Sequence, residues 1–148
     1  MPGETAAMSE SRLTLRSRLD ELALLSPWVE SLAAEHAIPA STVFAIELCL
    51  EEALSNVVRH GYRGEPDHPI SVEFSARPGE LAFVIEDQAP RFDPLTGDLN
   101  REAPLPASIE EFPLGGRGIR LMRRFAGSLA YEPLPSGNRL TVRFPVWP

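Results

Sequence analysis

Glu52 and Asn56 stand four residues apart in the run Glu51-Glu52-Ala53-Leu54-Ser55-Asn56. On a helix, side chains at that spacing are neighbours. A carboxylate at the border between core and surface is partly desolvated and can act as a base. An amide oxygen beside it can coordinate a hard cation such as magnesium. An acid and an amide on a solvated helix face are common, so the pair by itself decides nothing.

Two further features offer chemistry. Asp87 follows the apolar run Leu81-Ala82-Phe83-Val84-Ile85 and precedes Gln88-Ala89-Pro90. An aspartate where a covered strand enters a loop can accept from an exocyclic amine, as on adenine. It can equally cap the strand end or close an Asx turn. Further on, Gly115-Gly116-Arg117-Gly118 opens the stretch Ile119 to Phe125. Glycines let a backbone approach a ligand closely. The helix behind them offers unpaired N–H groups and a partial positive end to phosphates, and Arg117 adds a charge. The run lacks the Lys-Ser/Thr of a Walker motif, and no strand leads directly into it as a dinucleotide fingerprint requires. A glycine hinge followed by solvated arginines is the plain alternative.

These residues need elements to position them. Val43, Ile46, Leu50, Ala53, Leu54 and Val57 recur with helical period, which predicts a helix from Ser41, as N-cap, to about His60, with Gly61 as a left-handed C-cap. Glu52, Asn56, Cys49 and His60 then share the flank of its apolar face. An earlier helical rhythm runs from Asp20 to Ala37. Pro27 either kinks it or opens a new helix capped by Ser26. Strands are expected at 12–16, 70–76, 81–86, 128–132 and 139–144, with turns at 77–80 and 135–138. The irregular segment from Gln88 to Leu114 is rich in proline and long enough to suggest function or disorder. A helix is expected over 116–125. One mixed, largely antiparallel sheet with helices on one face, an α+β two-layer sandwich, accommodates this order.

Composition narrows the classes. The 148 residues favour one domain, with residues 1–10 as a flexible start and 11–148 as the folded unit. The net charge of −7 argues against generic nucleic-acid binding. The single cysteine excludes an intrachain disulfide and agrees with a reducing compartment. No zinc-ligand spacing, signal peptide or membrane-length apolar run is present. A cytoplasmic protein is the expectation.

Taken together and in this order, Glu52-x-x-x-Asn56, Asp87 and Gly-Gly-Arg-Gly resemble the motifs of the Bergerat-fold ATPases, the superfamily of gyrase, Hsp90, histidine kinases and MutL. Within it, the chain is most similar to the short anti-sigma-factor serine/threonine kinases of bacteria. Glu51 to Tyr62 resembles their first motif nearly throughout. Asp87 with Phe92-Asp93-Pro94 resembles their adenine motif. Gly115 to Arg123, Tyr131-Glu132 and Gly137-Asn138-Arg139-Leu140-Thr141 resemble their C-terminal third. The resemblance spans roughly residues 11 to 145. It implies ATP and magnesium as cofactors, Glu52 as general base and Asn56 as magnesium ligand. It places His60 near the phosphates or ribose and Asp87 on the adenine amine, with Ala89 and Phe92 in the same motif. Gly115, Gly116, Arg117 and Gly118 would close a lid, at about 88–118, on the phosphates. Thr141 would help hold the adenine through water. Ala89 departs from the family, which usually has glycine there, and this bears on nucleotide affinity more than on fold.

The resemblance also implies partners: a small antagonist protein that receives the phosphoryl group, a sigma factor that is sequestered, and a second copy in a homodimer. Two other classes stand beside this reading. One is an interaction module, with or without nucleotide, that lacks kinase turnover. The other is a detached catalytic part of a histidine kinase, which the chain's lack of room for a phosphoacceptor helix pair disfavours.

Overall fold

The computed structural model describes residues 9–95 and 118–145. Strand β1 (Ser9–Arg16) leads into a 3-10 turn (Leu19–Leu24) and helix α1 (Leu25–His36). Helix α2 (Ala40–Asn56) passes into a π-turn (Val57–Gly61). Strands β2 (Pro69–Arg77) and β3 (Glu80–Asp87) form a hairpin. Helix α3 (Gly118–Phe125) and strands β4 (Ser128–Leu134) and β5 (Gly137–Pro145) complete the described chain.

The strands form one sheet in the order β1-β2-β3-β5-β4. All four pairings are antiparallel, so the sheet is antiparallel throughout the described residues. The two-layer α+β expectation holds. Period-2 alternation turns one sheet face inward. Val72 and Phe74 of β2, Phe83 and Ile85 of β3, and Val142 and Phe144 of β5 are buried there. Val29 and Leu32 of α1 and Ile46, Leu50 and Leu54 of α2 join the same core. Trp28 of α1 meets Phe83 edge-on at 6.0 Å, and its indole N–H donates to Ser11.

Three helix details depart from expectation. Pro27 is neither the first helical residue nor preceded by a Ser26 cap. The 3-10 turn runs straight into α1, whose N-cap is Leu24. Pro27 therefore sits in the first turn, where a missing N–H costs nothing. The Ser26 hydroxyl reaches instead to Glu47 on α2 at 3.3 Å. Helix α2 is capped by Pro39 rather than Ser41, because Ala37 ends α1 with a left-handed φ of 54° and Pro39 already holds the extended cap geometry. Gly61 is not a left-handed cap. It lies in the π-turn, and the first positive-φ residues that follow are Arg63 and Gly64.

Candidate functional site

The centre of the site is a cross-strand pair. β3 is the middle strand, and its alternation puts Asp87 on the core face behind Ile85, Phe83 and Leu81. Directly opposite on β5 stands Asn138. Both side chains are buried. The Asn138 amide N–H donates to Asp87 Oδ1 at 2.8 Å, and the Ala89 backbone N–H donates to the same oxygen at 2.9 Å. Burial pushes the Asp87 carboxyl above the usual carboxylate range, and these two donors pull it back. Asp87 Oδ2 makes no hydrogen bond among the described residues.

Asn138 is a hub. Its Oδ1 accepts from the Tyr131 hydroxyl and from the Phe92 backbone N–H at 2.9 Å. Its Nδ2 also lies 3.2 Å from the Pro90 carbonyl and 3.3 Å from that of Ala89. Two N–H groups cannot fully satisfy three acceptors, so the shortest, to Asp87, anchors the arrangement. Gly137 makes the pairing possible. Its φ is 143°, and a Cβ there would lie 1.9 Å from the Asp87 carbonyl oxygen.

Asp87, Asn138, Tyr131, Ile85 and Leu140 wall one side of a small cavity, and Ala53 and Val57 wall the helical side. Phe92 and Pro94 cover it. Its volume is about 20 Å³, room for one water. Larger clefts, of about 650 Å³ beside the 3-10 turn and about 430 Å³ on the outer sheet face, contain none of the expected site residues, and one of about 340 Å³ is lined by Asp87 but by none of the others. Chemistry rather than size therefore marks the site.

Glu52 and Asn56 immediately precede Ala53 and Val57, so they flank the wall that faces Asp87. They lie deeper than a core-surface border: Glu52 is 8% exposed and Asn56 only 1%. The last turn of α2, residues 52–56, is buried on all sides. Both polar atoms of the Asn56 amide lack a partner among the described residues. Such an orphan is costly in a core and ordinary in a ligand site. It fits a magnesium ligand, since magnesium takes few protein ligands and keeps waters and phosphates. Among the described residues no cluster of three or more His, Cys, Asp or Glu could hold a metal by itself.

The other expected residues divide. Phe92 reaches the cavity, and exposed His60 stacks against it with ring centroids 5.8 Å apart. The π-turn begins directly after Asn56 and carries His60. Cys49, on the same regular helix as Glu52 and Asn56, is wholly buried against the Met122 carbonyl of α3, at 3.9 Å. Ala89 is buried, but it does not line the cavity. Its methyl lies 3.3 Å from the position a Gly61 Cβ would take. Thr141 is a correction. It alternates with buried Leu140 and Val142 and so points to the outer sheet face, away from Asp87. Gly118 opens α3. Gly115, Gly116 and Arg117 lie outside the described residues.

Sequence reasoning assigned no role to Asn138, Tyr131 or Tyr62. Tyr62 is buried, and its hydroxyl donates to the Pro69 carbonyl and accepts from the Gln88 N–H, each at 2.7 Å. It ties the π-turn to the loop just beyond Asp87. A signal for Asn138 existed: the apolar residues Leu140, Val142 and Phe144 set its parity as inward.

Comparison with known proteins agrees with this architecture. The family described as "Histidine kinase-like ATPase domain" matches residues 15–144. The serine/threonine-protein kinase BtrW of Bordetella bronchiseptica is 32% identical over 117 residues, 78% of this chain and 79% of BtrW. An anti-sigma F factor of Oceanobacillus iheyensis is 30% identical over 90 residues, 61% of this chain and 60% of that protein. The crystal structure of the RsbU and RsbW domains of Rv1364c from Mycobacterium tuberculosis superposes with a TM-score of 0.65 at 15% identity. That likeness covers 95% of this chain but only 33% of the other, and it speaks to fold alone. With the family description matching nearly its whole length, the chain belongs to the histidine kinase-like ATPase domain family.

Proposed function

We infer that this protein is an ATP-dependent serine/threonine protein kinase of the anti-sigma-factor type. The observation that carries the reading is one cavity with Asp87 of β3 on one side and, on the other, the α2 wall flanked by Glu52 and Asn56. Asp87 Oδ2 accepts from the exocyclic amine of adenine. Asn56 presents its orphan amide oxygen toward the phosphates. Magnesium supplies charge neutralisation on the phosphoryl oxygens when bound. Glu52 takes the proton of a partner's serine or threonine hydroxyl as that oxygen bonds to the γ-phosphorus and the bond to the β,γ-bridging oxygen breaks. Positioning supplies most of the rate. Residues 88–118 serve as the lid, and Gly115 to Gly118 meet the phosphates.

The named relatives support the partner classes. One is called a serine/threonine-protein kinase and the other an anti-sigma F factor. A small antagonist protein is the phosphoryl acceptor, a sigma factor is the sequestered partner, and a homodimer is the working form. The domain runs from about residue 11 to 148 and works in the cytoplasm. Among the described residues no helix is long and apolar enough to cross a membrane.

The test is incubation of the protein with Mg-ATP and its candidate antagonist, followed by phosphoserine and phosphothreonine analysis. Glu52→Ala is expected to slow transfer by about 10²–10⁴-fold while ATP binding stays within about threefold. Full transfer by Glu52→Ala removes Glu52 as the base. The 20 Å³ cavity favours a second reading, an interaction module that does not take up nucleotide. Calorimetric titration separates the two: saturable ATP binding supports the kinase, and its absence supports the module.

A further inference from the structure

The Tyr131-Asn138-Asp87 chain has no counterpart in the expected roles, yet it is the most fully bonded polar feature at the cavity. Asp87 Oδ1 is pinned from the strand by Asn138 and from the loop by the Ala89 N–H. With Oδ1 pinned twice, the direction of Oδ2 is determined. The Asn138 amide cannot turn over easily, because its Oδ1 is occupied by the Tyr131 hydroxyl and the Phe92 N–H. We propose that Asn138, oriented by Tyr131, is a positioning residue that sets base specificity by holding Asp87 as an acceptor toward an exocyclic amine. The proposal rests on the ATP reading above.

The chemistry is a matter of which partner carries the proton. A base with an amine at C6 donates to a carboxylate. A base with a carbonyl at C6 presents an acceptor, and two acceptors facing each other repel. A buried carboxyl takes up a proton more readily than an exposed one, and a protonated Asp87 could donate to that carbonyl. The Asn138 N–H opposes this by stabilising the charged form. Tyr62, the titratable group near Asp87 from the π-turn, is committed to Pro69 and Gln88 through its hydroxyl. Removing Asn138 therefore leaves only the Ala89 N–H on the carboxylate. Sites built to hydrogen-bond a substrate group reject analogues that cannot reciprocate, which is why the loss appears in discrimination and not only in affinity.

The experiment uses the full chain and calorimetric titration with the magnesium complexes of ATP and inosine triphosphate, which differ in the C6 group and in the proton that inosine carries on N1. The wild type is expected to favour ATP by about 100-fold or more. Asn138→Leu is expected to reduce that ratio to about tenfold or less, mostly through loss of ATP affinity. Tyr131→Phe removes one hydroxyl and is expected to give an intermediate ratio. If both affinities fall in proportion in Asn138→Leu and Tyr131→Phe, Asn138 merely supports the fold and the proposal is overturned. Should Asn138→Leu lack a cooperative thermal transition, the Tyr131→Phe ratio decides alone, and an unchanged ratio overturns the proposal. A wild type that binds both triphosphates equally also overturns it while leaving the nucleotide site intact. A wild type that binds neither removes the ATP reading itself, and the proposal with it.

Discussion

Asn56 and Asp87 each carry a cost that a purely structural residue would not. The Asn56 amide is buried with both polar atoms unpartnered among the described residues. Replacing it by Leu, of similar shape, removes about 1–3 kcal/mol of desolvation penalty. Asn56→Leu is therefore expected to raise the urea midpoint and to lose magnesium-dependent nucleotide binding. An unchanged or lower midpoint would mean that the amide is satisfied in solution. Asp87 has a folded-state pKa above its ordinary value, through burial. A carboxyl of that kind favours folding most below its ordinary pKa, and the contribution is lost as pH rises through the raised value. The ionised group is thus a burden at neutral pH. Asp87→Asn should melt higher than wild type at pH 7, with the difference shrinking toward about pH 4. Its Mg-ATP affinity should fall at least about 100-fold. A lower melting temperature at pH 7 would contradict the sign.

At the scale of elements, the π-turn and the loop after β3 are fitted to each other. Tyr62 bonds the Gln88 N–H, and His60 stacks on Phe92. The Ala89 methyl fills the space beside Gly61. A Cβ on Gly61 would stand 3.3 Å from that methyl, tighter than ordinary contact. Gly61→Ala is expected to cost about 1–3 kcal/mol by overpacking. Ala89→Gly in the same chain should recover most of it. Urea unfolding of the four variants gives the coupling energy directly, and simple additivity would mean that the two residues do not press on each other. The Ala89 methyl thus packs against the π-turn while its backbone N–H holds Asp87.

The described residues form one sheet with α1, α2 and α3 sharing one core. Cys49 lies inside it, at 0% exposure, against the α3 backbone. Burial pushes its thiol up to about 12. Only the thiolate reacts readily. At pH 8 the thiol of the native protein should resist a soluble maleimide or disulfide reagent, and labelling should follow global unfolding in urea. Labelling that runs ahead of the circular dichroism transition would show that α2 and α3 separate locally. Much of this architecture was legible in advance. Alternation marked β1, the apolar run at 81–85 marked β3, the turns at 77–80 and 135–138 marked the two hairpins, and the helical rhythm gave α2. The parity of Leu140, Val142 and Phe144 was also legible, and it already turned Thr141 outward. What could not be read was depth. Nothing local in Glu52 to Asn56 says that the last turn of α2 is enclosed on every side.

By itself, the sequence determined which residues could do chemistry and the periodicities that carry them, because side-chain type and helix or strand period are local properties. It placed Asp87 where a covered strand enters a loop and put Glu52 beside Asn56. Only the tertiary structure decided which of these meet. Asn138 is 51 residues from Asp87 along the chain and directly opposite it in the sheet. That pairing depends on β5 crossing over to lie between β3 and β4. Strand register is set by contacts between distant segments, and shifting it by one residue turns every side chain to the other face. The hub of the site therefore exists only once the sheet has closed around it.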